Sequence, residues 1–226
     1  MDVRELVWAV RAAPLVLRVQ EFLCWLGEQR PLSREPLPGR PGARRHTYLS
    51  LGSWAEGRTA TALGEEETAL LEFLLAARML EVVVGRRERR TGGGVREHAW
   101  VLPGPAYPLL PDDAARVWRT GVELLPLLWA CRVPGASPGC PLPARWLERL
   151  HAADGLLPLG VLGAADGAFG TVRGEAAAAL QALESLGLVR LRYDLDLGEC
   201  CALTPLGRHA VTLLRRCGVL AGPQPV

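Results

Sequence analysis

VRGEAAAALQALESLGLVRLRYDLDLGECCALTPLGRHAVTLLRR, from Val172 to Arg216, is the stretch whose reading decides the fold. Arg173 to Leu186 has no proline or β-branched residue and is rich in alanine, the best helix former. Leu180, Leu183 and Leu186, with Ala176 and Ala179, recur at three- and four-residue steps and form one apolar stripe. Gly187 is placed to end that helix in the left-handed conformation. Leu188 to Tyr193 alternates Leu and Val with Arg, the period of a half-buried strand. Asp194 to Glu199 holds turn formers, and Cys200 to Leu203 reads as the returning strand. Thr204 then caps a last helix, with Pro205 at its first position, where a missing N–H costs nothing.

Helix, two-stranded hairpin, helix is the order of a winged-helix domain. The run LGLV followed by a hairpin and Leu203-Thr204-Pro205-Leu206-Gly207-Arg208 resembles the MarR-type and related winged-helix regulators, whose second wing strand ends in L-T-x-x-G-R. The resemblance covers about forty residues, and it implies a fold more than a task, because winged helices serve both DNA binding and protein contact.

A second helix–hairpin unit precedes it. Glu65 to Met79 reads as a helix with three Glu in its first turn, Leu80 to Val84 as a strand, Gly85 to Gly94 as a polar loop and Val95 to Leu102 as the return. The spacing suggests a degenerate duplication, and the whole chain resembles tandem winged-helix proteins of actinomycetes. Met1 to Arg30 is helical on both sides of Pro14. Gly27 to Gly42 reads as irregular, Thr47 to Leu51 as a short strand, and Asp112 to Ala130 as one helix kinked at Pro126. Pro134 to Pro143 is the best domain boundary, after which Ala144 to Ala153 starts a new helix. The expected fold is mainly α with small β-hairpin wings, arranged as tandem winged helices. Its segments are a helical piece at 1–14, a first domain at 15–110, a connecting helix and linker at 111–143, a second domain at 144–217 and a tail at 218–226.

All 26 basic residues are Arg, and Lys, Ile and Asn are absent from the 226 residues. These three share A/T-rich codons, which points to a GC-rich bacterial genome. Without Lys there is no P-loop and no Schiff-base lysine; without Asn there is no Asn–adenine contact. The net charge of +2 is mild, so an acidic partner has to meet a local patch. No run reaches the ~18 apolar residues of a membrane span, and Asp2, Arg4 and Glu5 precede only a short apolar run, unlike a signal peptide. A cytoplasmic chain with reduced cysteines is expected.

Few residues suggest chemistry. No C-x-x-C is present and no His lies at metal spacing from a Cys, so no metal or other cofactor is expected. Histidines 46, 98, 151 and 209 are scattered, and carboxylate pairs such as Asp112-Asp113 and Asp194/Asp196 sit where helix starts and turns favour Asp. No enzyme is indicated. The seven Trp could stack on nucleic-acid bases, but most fall within apolar periodicity and read as core or interface. The basic cluster Arg86, Arg87, Arg89, Arg90 and Arg96 is the stronger feature, since Arg on a wing can clamp phosphates or enter a minor groove. Its plain alternative is a solvated loop protecting a hairpin edge. On the later helix, Arg173, Ala177 and Gln181 share the face opposite the leucines, and Arg and Gln can read guanine and adenine. The second wing tip, Asp194-Leu195-Asp196-Leu197-Gly198-Glu199, is acidic where MarR-type proteins carry Arg. Two functions remain open: a double-stranded DNA-binding regulator, acting as a homodimer through the helices of Val3 to Leu26 or Asp112 to Ala130, or a winged-helix module that contacts protein.

Overall fold

In the computed structural model, the described residues are 2–28, 30–36, 46–49, 65–89, 95–130, 142–164 and 173–220. The chain is mainly helical with two small antiparallel sheets, an α+β protein. It divides into two compact units, one of residues 1–18 with 110–226 and the other of residues 19–109. The expected 1–14 and 111–143 segments therefore group with the C-terminal unit, each bringing an apolar face to its core.

In the first of these units, helices α1 (Val3–Arg11) and the start of α2 (Pro14–Leu26) are joined at Pro14, which takes the first position of α2. The expected single helix over 112–130 is instead two, α4 (Ala114–Glu123) and α5 (Leu125–Ala130), separated at Leu124. Pro126 is the cause: with no N–H to donate, it sits in the first turn of a new helix and not inside a continuous one. There follow α6 (Leu142–Ala153), β5 (Leu157–Pro158), α7 (Leu159–Ala164), α8 (Arg173–Ser185), β6 (Val189–Asp194), β7 (Gly198–Leu203) and α9 (Pro205–Arg216). The short helix α7 was not expected, because Gly160 and Gly163 mask its pattern. The sheet order is β5-β7-β6, fully antiparallel, with Leu191 opposite Cys201 and Arg192 opposite Cys200. Buried Trp118, Trp129, Trp146, Leu147, Leu183, Leu186 and Val211 fill the core. The Trp118 indole donates to the carbonyl of Leu186 at 2.9 Å, which satisfies its one buried polar atom.

The junction between α8 and α9 organises this unit. Gly187 has φ +67, and its N–H donates to Glu184 O at 2.8 Å while Leu188 N–H donates to Leu183 O at 3.0 Å. This is the double closure of a Schellman motif. Thr204 N–H, arriving from β7, then donates to Leu188 O at 3.0 Å. The Thr204 hydroxyl donates to Gly187 O at 2.6 Å, with Leu188 O a second acceptor at 3.2 Å, and its oxygen accepts from Gly207 N–H at 3.0 Å. Gly207 lies so close to the Leu188 carbonyl that a Cβ there would overlap it. The L-T-x-x-G segment thus has a steric reason for its glycine.

In the second unit, the remainder of α2 is followed by β1 (Arg30–Pro36), β2 (His46–Leu49), α3 (Glu65–Ala76), β3 (Leu80–Arg89) and β4 (Val95–Pro103), with sheet order β2-β1-β4-β3. The strand β1 replaces the irregular segment expected from its prolines. Pro31 lies where β1 pairs only with β4, and Pro36 where it pairs only with β2, so among the described residues each has one side without a ladder partner. Helix α3 stops three residues short of Met79. Arg78 takes the left-handed conformation, φ +56, with its N–H on Leu75 O at 3.0 Å and Met79 N–H on Leu74 O at 2.9 Å. Gly104 N–H then donates to Met79 O at 2.9 Å, as Thr204 does to Leu188. The two units share this junction and the sheet order of first, last and middle strand, β5-β7-β6 in one and β1-β4-β3 in the other.

Two substitutions at these junctions should move stability in opposite directions. Gly207→Ala forces the first turn of α9 off the Leu188 carbonyl and should lower the unfolding free energy by about 3 kcal/mol. Arg78→Gly removes a left-handed L-residue and should raise it by up to about 1 kcal/mol. Urea titrations of both variants against the parent read the two signs directly.

Candidate nucleic-acid interface

The residues expected to meet nucleic acid fall into two sets, one in each unit. Arg173 is the first residue of α8, and Gln181 follows two turns later, about 12 Å along the axis. Ala178, Ala179, Ala182 and Leu183 of α8 are buried, whereas Ala177 and Gln181 are exposed. Burial raises the carboxyl pKa of half-buried Glu184. The exposed strip is therefore small and polar, a surface that a groove can approach.

The second set lies on the β3–β4 hairpin, and its placement differs from the expected loop. The strand β3 continues through Gly85 to Arg89 after a register shift between Val84 and Arg87. Arg86 is in that irregularity, Arg87 is opposite Glu97, Glu88 is opposite Arg96 and Arg89 is opposite Val95. The extra residue of a bulge lets the polar run RRER continue as strand without keeping the alternation of Leu80 to Val84. Arg90 and the glycines 92–94 lie outside the described residues.

The helix preceding this hairpin exposes less over residues 67–76. From residue 67 onward, α3 has one exposed position, Ala76, and Ala69, Leu70, Leu71, Phe73 and Leu74 are all buried. In the other unit, the β6–β7 tip exposes apolar side chains among its acids: Tyr193 is 74% accessible and Leu195 94%. Asp194 holds this tip as an Asx turn, its carboxylate accepting from Asp196 and Leu197 N–H at 3.0 Å each.

Three arginines outside the expected set also come together. Arg190 and Arg192 of β6 and Arg208 of α9 line one cleft of about 180 Å³, with Leu150, Gly155 and Leu156 at its edge. Arg208 pairs with Asp154 at 2.9 Å. The period-two placement of Arg190 and Arg192 was visible in the sequence; their meeting with Arg208 depends on how α9 folds back.

Cysteine chemistry is subdued among the described residues. Cys200 and Cys201 are neighbours on the central strand β7, and both are fully buried because both faces of that strand are covered. Burial, then Glu184 and Cys200, push the Cys201 thiol up to about 12. Cys24 and Cys217 are free and exposed, and Cys131 and Cys140 lie outside the described residues. No group of three or more His, Cys, Asp or Glu stands together as a metal site among the described residues, and no described helix is long and apolar enough to cross a membrane.

No protein-family model, curated protein or solved structure matches the chain. Its own residues therefore carry the functional reading.

The thiol environments are open to a direct count. With Cys131 and Cys140 replaced by Ser, Cys24 and Cys217 should react with a disulfide reagent at pH 8 in the folded protein. Cys200 and Cys201 should react only after denaturation, since a neutral buried thiol is neither nucleophilic nor accessible. Four fast thiols would contradict the buried placement of β7.

Proposed function

We propose that the chain is a non-enzymatic, double-stranded DNA-binding protein, a cytoplasmic transcriptional regulator built of two winged-helix units and acting as a homodimer. The observation that carries this reading is the C-terminal order α6-β5-α7-α8-β6-β7-α9 with α8 exposing Ala177 and Gln181 just ahead of a two-stranded hairpin. That is where a winged helix presents its reading helix and its wing. In this scheme Arg173 and Gln181 touch base edges. The other unit supplies phosphate contacts from Arg86, Arg87, Arg89, Arg90 and Arg96, because its own helix α3 has little free surface to insert into a groove.

A second reading, a winged-helix module that contacts protein, is favoured by the β6–β7 tip. Tyr193, Leu195 and Leu197 are exposed there beside Asp194, Asp196 and Glu199, a surface that repels phosphate and offers apolar area to another chain. Self-association draws support from α1, where Val3, Val7 and Trp8 are exposed and Trp8 is 73% accessible.

Gel shifts against genomic fragments at two salt concentrations test the DNA reading. Replacing Arg86, Arg87, Arg89 and Arg90 with Ala should weaken binding to all sequences and flatten the salt slope by roughly one unit for each phosphate no longer neutralised. Gln181→Ala should instead relax sequence preference, by about 1–3 kcal/mol for a true base contact. Absence of any shift by the parent at low salt would remove the DNA reading and leave the protein-contact one.

The dimer is tested separately by light scattering. The parent should run at twice the mass of Trp8→Glu, because a carboxylate cannot be buried unpaired in an apolar interface. Equal masses for the two would place the dimer interface elsewhere or exclude it.

A further inference from the structure

The C-terminal unit holds an apolar groove of about 1220 Å³ between α1 and α9. Leu6, Ala9, Ala12 and Ala13 form one wall and Leu206 belongs to the other. The alanines keep it open, since at spacings of three and four residues they present only methyl groups on one face of α1. Arg190, Leu203 and Arg208 line both this groove and the 180 Å³ arginine cleft, so the two spaces adjoin at those residues.

The charges are unevenly placed. Gly187 stands against Ala13, with 3.8 Å between the position its Cβ would take and the Ala13 Cβ, so the segment that leads into Arg190 starts beside the C-terminal end of α1. Glu5, the groove's carboxylate, is seven residues before Ala12, about 10 Å away along the axis. Its Oε2 accepts from Asp2 N–H at 3.0 Å. Arg190 and Arg192 have no ion pair among the described residues. The Arg208–Asp154 pair has side chains 57% and 77% accessible, an exchangeable surface contact.

We infer that this is a binding site for a small amphipathic anion, an acyl chain ending in an oxyanion head. The tail lies along α1 and α9, and the head is held by Arg190, Arg192 and Arg208. Such a ligand satisfies both halves: apolar area leaves water along the groove, and guanidinium forks bind the planar or tetrahedral oxyanion. A bare inorganic anion would leave the groove unused, and a neutral lipid would leave the arginines unused. The span from Val3 to Ala13, about 15 Å, matches an acyl chain of medium length.

Calorimetric titration of the full chain tests this with dodecanoate and dodecyl phosphate as the two head chemistries, each below its micelle concentration. Dodecanol supplies the tail alone; acetate and inorganic phosphate supply the head alone. At least one of the two amphiphiles should bind, and the tighter one names the head. Dodecanol, acetate and phosphate should each bind about tenfold more weakly or worse. The pair Arg190→Gln with Arg192→Gln should cost the amphiphiles about tenfold, the loss expected for charged hydrogen bonds, and leave dodecanol unchanged. Ala12→Trp, at an exposed position in the groove wall, should weaken amphiphile and alcohol alike. Failure of both amphiphiles to bind a chain with a normal unfolding transition would overturn the site. Equal binding of dodecanol or of inorganic phosphate, or an arginine pair variant that binds as tightly as the parent, would do the same. None of these readouts involves DNA, so the site stands or falls separately from the regulator reading.

Discussion

The carbonyl of Leu188 is the point through which three elements of the C-terminal unit are joined. It follows the turn that closes α8, it accepts from Thr204 as β7 ends, and it lies under Gly207 as α9 begins. A backbone acceptor buried at such a crossing has to be paired, and here the pairing also sets the direction in which α9 leaves the sheet. From that direction follow the stacking of His209 on Trp118, with ring centroids 6.0 Å apart, and the position of Arg208 beside β6. Both the apolar groove and the arginine cleft exist because α9 starts where it does.

The other unit repeats the device with different residues. Met79 and Gly104 stand in the places of Leu188 and Thr204, and Arg78 adopts the left-handed turn that Gly187 adopts without strain. Gly104 also has a close-approach reason to be glycine, since a Cβ would meet Arg78 O at 2.5 Å. A shared hydrogen-bond scheme on unlike side chains is what a degenerate duplication would leave behind, because geometry at a buried carbonyl constrains the backbone more tightly than it constrains residue identity.

The surfaces of the two units differ more than their frames do. One keeps a helix with a small polar strip and an apolar, acidic hairpin tip; the other has a helix with one exposed position among residues 67–76 and a hairpin with arginines past a bulge. The difference between them is one of surface chemistry laid over a common strand order.

Local interactions were legible in the sequence by itself. The alanine-rich helix, the Gly187 stop, the Asp194 turn and the Thr204-Pro205 cap each depend on residues within a few positions, and each took the form its composition implied. Misreadings arose where a distant partner decides. Prolines 31 and 36 look like loop residues until β1 is seen to pair at each of them with one neighbouring strand among the described residues. Arg86 to Arg89 look like a loop until the bulge lets β3 run on against β4. Helix α7 is hidden by its glycines. The grouping of residues 1–18 with 110–226 cannot be read from any window, since it depends on which apolar faces find each other across a hundred residues. The same holds for Arg190, Arg192 and Arg208: strand alternation places the first two on one face, but only the fold-back of α9 brings in the third. Short-range hydrogen bonding and propensity were written in the order of residues, while the meeting of side chains far apart in the chain was decided by packing alone.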